Sequence, residues 1–335
     1  MINQNRIKPL ASDFVKVYES QYPSELYCYS PGICKASNGR LVATLDLSGP
    51  KITEIGGPVK KIEGGKLWQG KVFTSDDGGK TWQHRTDFPY MHARPFVAGN
   101  SIYVLGQADD LVVIRSDDNG ETWSEQSFLT EGEFWHQAPC NVHYANNSVY
   151  LVMEKRIHTD VRGWNVCGIA PVLMRGKVVD DLTKRENWSF ASELVFLDNI
   201  PEEDLDFVGI PFYETKYKER TFVFGNRSMN PVGWLETNVV QFVDPNHYWY
   251  DPNGKTFHLW ARAHTGGTGY AAIAKVVEHP DGSMETMLEK VPSGKEIVFV
   301  PCPGGQMKFH IVYDDVTELY WLLSSQATDN VTRAD

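Results

Sequence analysis

Much of the chain reads as short runs in which apolar and polar side chains alternate, separated by turns rich in Gly, Asp and Asn. Alternation with period two sends successive side chains to opposite faces, so each run predicts a half-buried strand. The runs are Gly32–Lys35, Leu41–Leu47, Lys71–Thr74, Trp82–Arg85, Arg94–Val97, Ser101–Leu105, Leu111–Arg115 and Thr122–Gln126, then Ser148–Glu154, Gly168–Met174 and Trp188–Leu194. They resume at Leu235–Val243, Phe257–Ala263, Tyr270–Val277, Gln306–Tyr313 and Leu319–Ser324. The pattern predicts an all-β protein.

An internal repeat organises these strands. Ser75-Asp76-Asp77-Gly78-Gly79-Lys80-Thr81-Trp82 matches Ser116-Asp117-Asp118-Asn119-Gly120-Glu121-Thr122-Trp123, the pattern S-x-D-x-G-x-T-W twice at a spacing of 41 residues. Each copy follows a strand-like run. The Asp carboxylate accepts bonds from turn amides, the Gly takes a left-handed backbone, and the Trp wedges between sheets, so the motif serves stability and not chemistry. Both copies resemble the Asp box of sialidases and other bacterial neuraminidase repeat proteins. That resemblance implies a β-propeller with the boxes on its periphery, away from an axial site.

The resemblance divides the chain into blades. The first spans Cys28 to Phe88 and the second Ala93 to Phe128. The third begins at His136 and carries a decayed box at Asp181–Trp188 that keeps the Trp; the fourth begins at Trp234 and the fifth at Gln306. Residues 1–335 form one propeller domain on this reading, of five to six blades. Regularity breaks at about residues 196–230, with Glu202, Glu203, Asp204 and Asp206 followed by Tyr213, Lys216, Tyr217, Lys218 and Arg220. This insertion either is a surface loop or hides a further blade. The last blade supplies two strands, with Asp13–Glu19 available to close it, and a C-terminally incomplete propeller is the other way to read the count.

Composition narrows the functions. The 335 residues are 41% hydrophobic and 22% charged, a globular composition. With 43 acidic and 32 basic residues the net charge is −11, which argues against a phosphate-backbone partner, since nucleic-acid affinity comes from Lys and Arg. No run approaches the length of a membrane span, so no membrane partner is expected. The start lacks an apolar leader, which predicts a cytoplasmic protein as written, or a periplasmic or secreted one if a signal peptide was removed. Cys28, Cys34, Cys140, Cys167 and Cys302 lack zinc-site spacing and read as free thiols. No cofactor or metal is called for, although calcium held by loop carboxylates stays open.

In a propeller the inner strands converge on the axis, so polar residues at their starts and at the ends of the second strands are the site candidates. They are Tyr29, Ser30 and Asp46; His92, Arg94 and Gln107; His136, Gln137, Glu154 and Arg156; Trp234, Glu236, Asn238, Arg262 and His264; and Lys308, His310 and Gln326. Guanidinium groups grip a carboxylate or sulfate in bidentate fashion and a carboxyl group moves protons, so the set fits an anionic carbohydrate, with Trp135, Trp234 and Trp260 as stacking surfaces. A structural ion-pair network around core tryptophans accounts for the same residues.

Sialidases hold their substrate carboxylate with three arginines and use an Asp acid/base and a Tyr nucleophile paired with a Glu. Here the family's Arg-Ile-Pro is replaced by Tyr29-Ser30-Pro31-Gly32. Asp46 stands near the acid/base position, Glu236 and Arg262 follow in the family's order, and no third arginine followed by a nucleophilic Tyr can be placed. The expectation is a sialidase-like, exo-acting glycoside hydrolase of altered specificity. Asp46 would be the acid and Glu236 or Glu154 its partner, possessing Arg94, Arg262, His136 and Lys308 as substrate holders. His92, Gln137, Asn238, His264, His310 and Trp234 would complete the binding surface. Two alternatives stay open: a lyase on uronate glycans with His92 or His136 as base, and a non-catalytic carbohydrate-binding propeller.

Overall fold

A computed structural model describes residues 13–62, 64–136, 140–161, 165–204, 221–223, 227–229, 232–263, 269–305 and 307–325. The alternating runs form antiparallel sheets, each a meander that starts at the axis. Blade I comprises Tyr27–Lys35, Leu41–Ser48, Leu67–Ser75 and Gln83–Phe88, with a short strand at Lys60–Lys61 on its edge. Blade II comprises Met91–Ala98, Ser101–Ala108, Asp110–Ser116 and Ser127–Phe128, and blade III His143–Ala145, Ser148–Arg156, Ile169–Lys177 and Trp188–Phe190. Blade IV comprises Leu235–Val240, Thr256–Arg262, Tyr270–Glu278 and Met284–Met287. Blade V is the pair His310–Asp314 and Leu319–Leu323. The molecule is a β-propeller.

Successive blades are joined by separate apolar cores. Val42 and Val72 of blade I meet Ala93, Ile102 and Val104 of blade II. Phe96, Leu105 and Val113 meet Leu151, Met153 and Val172 of blade III, and Leu173 and Val152 meet Val239, Leu259 and Ala272 of blade IV. Val240 and Ala271 meet Phe309 and Ile311 of blade V. At about 25 cal/mol per Å² of apolar surface, these seams are the main force holding sheet to sheet.

The two repeat turns have one architecture. Asp77 Oδ1 accepts from the Lys80 and Thr81 amides, Oδ2 accepts from the Thr81 hydroxyl, and Trp82 Nε1 donates to the Gly79 carbonyl. Asp118 accepts from the Thr122 amide and hydroxyl, and Trp123 donates to Gly120. The decayed turn keeps the last element, with Trp188 Nε1 donating to the Leu182 carbonyl at 3.0 Å. Both repeat aspartates are held down to about 2; turn hydrogen bonds do this at Asp77, and at Asp118 they outweigh an opposing burial effect.

Several boundaries differ from the sequence expectation. The outer strand of blade II is Ser127–Phe128, because Thr122 and Trp123 are spent on the turn. The inner strand of blade III is His143–Ala145, which the alternation does not mark, and beside the expected blade start at His136 stands the isolated bridge Trp135–Lys155. Asp13–Glu19 forms no strand; Val17, Tyr18 and Tyr22 pack against Leu45, Leu47 and Phe73 of blade I. Of the insertion, a helical turn at Phe196–Asn199, a 3-10 turn at Glu202–Asp204 and a hairpin at 221–223 and 227–229 are described; Asp206, Tyr213, Lys216, Tyr217, Lys218 and Arg220 lie outside the described residues.

Candidate functional site

Three inner strands break their ladders at the same point. Tyr29 pairs with Asp46, Met91 with Gln107 and Leu235 with Arg262, and in each case pairing resumes three residues later, at Gly32, Arg94 and Asn238. The surplus residue is a bulge, which bends the strand and re-aims a side chain. The residue after the last pair is left-handed every time: Ser30 at φ 46°, His92 at 54° and Glu236 at 52°. Such a backbone stores strain of roughly 1–3 kcal/mol at a non-glycine residue and clusters at functional sites. In blade III the bridge between Trp135 and Lys155 and the bond from the His136 amide to the Glu154 carbonyl set Glu154 near the end of the second strand, as Asp46, Gln107 and Arg262 are in the other blades.

The second-strand ends therefore form a polar arc around the axis. Asp46 is fully buried; its Oδ2 accepts from the His92 amide at 2.6 Å, and Oδ1 has no hydrogen-bond partner. Burial pushes its pKa up to about 7 against the opposing bonds from His92, Ala93 and Ser30. Glu154 is also fully buried, accepts from the Thr237 amide at 3.0 Å through Oε1, and leaves Oε2 unpartnered. Burial pushes it up to about 8, with Glu236 adding to the rise. Glu236 itself is ion-paired with Arg262, Oε2 to Nη1 at 3.2 Å.

The cations stand among these carboxyl groups. Arg94, 8% exposed, donates to the Pro31 carbonyl at 3.0 Å and lies within electrostatic reach of Asp46 and Glu236. Lys308 acts on Glu154, Cys140 and His92. His92 Nδ1 sits 3.0 Å from Gln107 Nε2, and its ring lies 5.9 Å from Trp68 and 6.4 Å from His136. Burial, with His136, Lys308 and Arg94 nearby, holds His92 well below the usual imidazole range; burial and Arg156 lower His136 to about 4. His310 is lowered too, by burial and then Arg94. All three are neutral at neutral pH.

The structure thus brings Asp46, His92, Arg94, His136, Glu154, Glu236, Arg262, Lys308 and His310 together. Three expected binding or stacking residues go elsewhere. Trp234 is 1% exposed, donates Nε1 to the Ile169 carbonyl and packs on Phe196 at 5.0 Å, so it rivets blade III to blade IV and offers no ring face to a sugar. Asn238 is fully buried: its Oδ1 accepts from the Ile311 amide and its Nδ2 donates to the Phe309 carbonyl, which ties blade IV to blade V. Trp135 is likewise enclosed, bonded to Glu133 and packed on Phe190. Gln137, His264 and Gln326 lie outside the described residues.

The aromatic surface at the cluster is another one. Tyr29, 40% exposed, stacks obliquely on Trp68 at 5.0 Å, and Trp68 leads to His92. Trp68 was not expected because its strand, predicted to open at Lys71, opens at Leu67. A cavity of about 1080 Å³ meets the cluster at Arg94, Cys140 and His310 and runs between Ile33, Ala43 and Leu45 of blade I and Leu323 of blade V.

No protein-family model matches the chain, and no curated protein sequence matches it. Solved structures similar to it include a protein of unknown function from Dyadobacter fermentans (12% identity, 87% of this chain and 73% of that one, TM-score 0.45). The α-L-arabinofuranosidase of Fusarium graminearum in complex with arabinobiose is similar at 13% identity over 88% of this chain and 73% of that one, TM-score 0.42. The NanB sialidase of Streptococcus pneumoniae is similar at 10% identity over 86% and 50%, TM-score 0.44. The propeller described above rests on this chain's own sheets.

Proposed function

We propose that the protein is a glycoside hydrolase acting on an acidic oligosaccharide. One observation carries the reading: Glu154, buried and protonated at neutral pH, stands beside Glu236, whose carboxylate is paired with Arg262. A carboxyl group held protonated by burial can act as an acid, the neighbouring carboxyl group of Glu236 is gripped by Arg262, and most glycosidases use a pair of carboxyl groups across the scissile bond. Glu154 donates the proton to the leaving oxygen through its unpartnered Oε2. Glu236 serves as base or nucleophile. Asp46, the acid expected from sequence, is the other carboxyl group raised by burial, to about 7, and lies near Arg94; Glu236 is among the groups that raise Glu154.

The acidic substrate follows from charge. Burial favours the neutral forms of Glu154 and Asp46, which leaves the cations Arg94, Arg262 and Lys308 prominent in the cluster, and guanidinium groups suit a sugar carboxylate or sulfate. Tyr29, backed by the buried Trp68, supplies the ring surface. The histidines argue against a lyase: an imidazole lowered to about 4, as at His136, is a weak base for removing a carbon-bound proton.

A product screen over acidic oligosaccharides tests the reading. The wild type releases reducing sugar without ultraviolet-absorbing unsaturated product, and Glu154→Gln and Glu236→Gln each lose at least about 100-fold in kcat, the scale of a removed general acid or base. Unsaturated product would instead identify a lyase, and binding without turnover a carbohydrate-binding propeller.

A further inference from the structure

The left-handed Glu236 is followed by a peptide bond that is gripped at both ends. Its carbonyl oxygen accepts from the Cys140 thiol, Sγ to O at 2.9 Å. Its N–H, that of Thr237, donates to Glu154 Oε1 at 3.0 Å. Cys140 is 1% exposed, and burial raises its pKa to about 12, so it is a thiol and a donor throughout the physiological range. The chain of bonds runs from thiol to carbonyl, across one peptide group, and from amide to carboxyl. Polarising the carbonyl at one end strengthens the N–H donor at the other.

We propose that Cys140 is a positioning residue of the site: through the Glu236 carbonyl it holds the Glu236–Thr237 peptide in the pose from which Glu236 faces the axis and Thr237 donates to Glu154. Two further features support it. The ladder between the Leu235–Val240 and Thr256–Arg262 strands is interrupted across Glu236 and Thr237, so sheet pairing does not fix this peptide. The backbone at Glu236 is strained and persists only where its surroundings hold it. The kinetic consequence rests on the reading of Glu154 and Glu236 as the reacting pair; the hydrogen-bond consequence does not.

The experiment compares Cys140→Ala, which removes the donor, with Cys140→Ser, which keeps one. The protonated carboxyl of Glu154 is titrated by difference infrared spectroscopy in the substrate-free protein, its band identified by loss in Glu154→Gln. Among the described residues, the charged or titratable groups that act on Glu154 include Glu236, Lys308 and Cys140, with Arg94 acting on Cys140 and Glu236, and His136 attached through its backbone N–H to the Glu154 carbonyl. Only Cys140 differs among the variants.

In Cys140→Ala the Glu236–Thr237 peptide leaves its pose and Thr237 no longer donates to Glu154, so the carboxylate is less stabilised and the acid dissociation constant of Glu154 falls about three- to tenfold, the span of one hydrogen bond. In Cys140→Ser it stays within about twofold of wild type. The kcat of hydrolysis falls by the same three- to tenfold in the alanine variant with KM nearly unchanged, and serine restores it. A wild-type titration in Cys140→Ala overturns the proposal. If that variant does not fold, Cys140→Val, close in volume and without a donor, replaces it. A shifted titration in a protein that hydrolyses no glycan supports the positioning role while the hydrolase reading fails.

Discussion

Glu154 trades stability for a proton. An unfolded glutamate ionises near pH 4.3, whereas the native one keeps its proton to about 8, so between these values the native state binds more protons than the unfolded state and stability falls as pH rises. Asp46 acts in the same direction over a narrower window that ends near 7. Glu154→Gln removes the larger contribution. Thermal melts from pH 5 to 8 are expected to show a flatter curve for the variant, which is more stable at pH 7 by on the order of 3 kcal/mol. Parallel curves would show that Glu154 ionises in the native protein as freely as in water. The left-handed backbone at Ser30, His92 and Glu236 lies at the bulges, so residues that give the site its geometry also carry strain.

At the scale of elements, the repeat turns act as clasps between strands. Trp188 tests whether the decayed turn still does this: 4% exposed, it packs with Phe96 and Tyr103 of blade II and donates to Leu182. Trp188→Ala is expected to cost about 3–5 kcal/mol in chemical denaturation, the range for deleting a buried aromatic ring; a loss below about 1 kcal/mol would remove the decayed turn from the fold's supports. These elements were legible in sequence because a period of two and a fixed turn motif are local signals. The polar residues at the second-strand ends were legible too, since Asp46, Gln107, Glu154 and Arg262 recur at one phase of successive blades. The bulges were not, because a bulge is a mismatch between two strands and only their pairing reveals it. Nor were the duties of Trp234 and Asn238: a Trp and an Asn beside the axis read alike whether they face substrate or, as here, bond the neighbouring blade's backbone. Cys140 offered only its identity as a thiol; its partner is 96 residues away.

Across the whole molecule, charge and packing are distributed unevenly. A chain of net charge −11 gathers Arg94, Arg262 and Lys308 in its central cluster, so the cluster is more positive than the exterior, the field that the proposed acidic substrate would follow inward. Packing is dense from blade I through blade IV and thins at the far seam, where Leu319–Leu323 is exposed along its length and Ile33 of blade I is 60% exposed. The site sits on the dense side, where Glu154 and Glu236 are fixed by the core shared between blades III and IV. If Glu154 supplies the proton, as proposed, the pH dependence of kcat/KM on an acidic oligosaccharide carries its signature: activity falls above about pH 8 as Glu154 loses its proton, and that alkaline limb is lost together with activity in Glu154→Gln. Hydrolysis that falls away above pH 5, or that survives intact in Glu154→Gln, would take that role from Glu154.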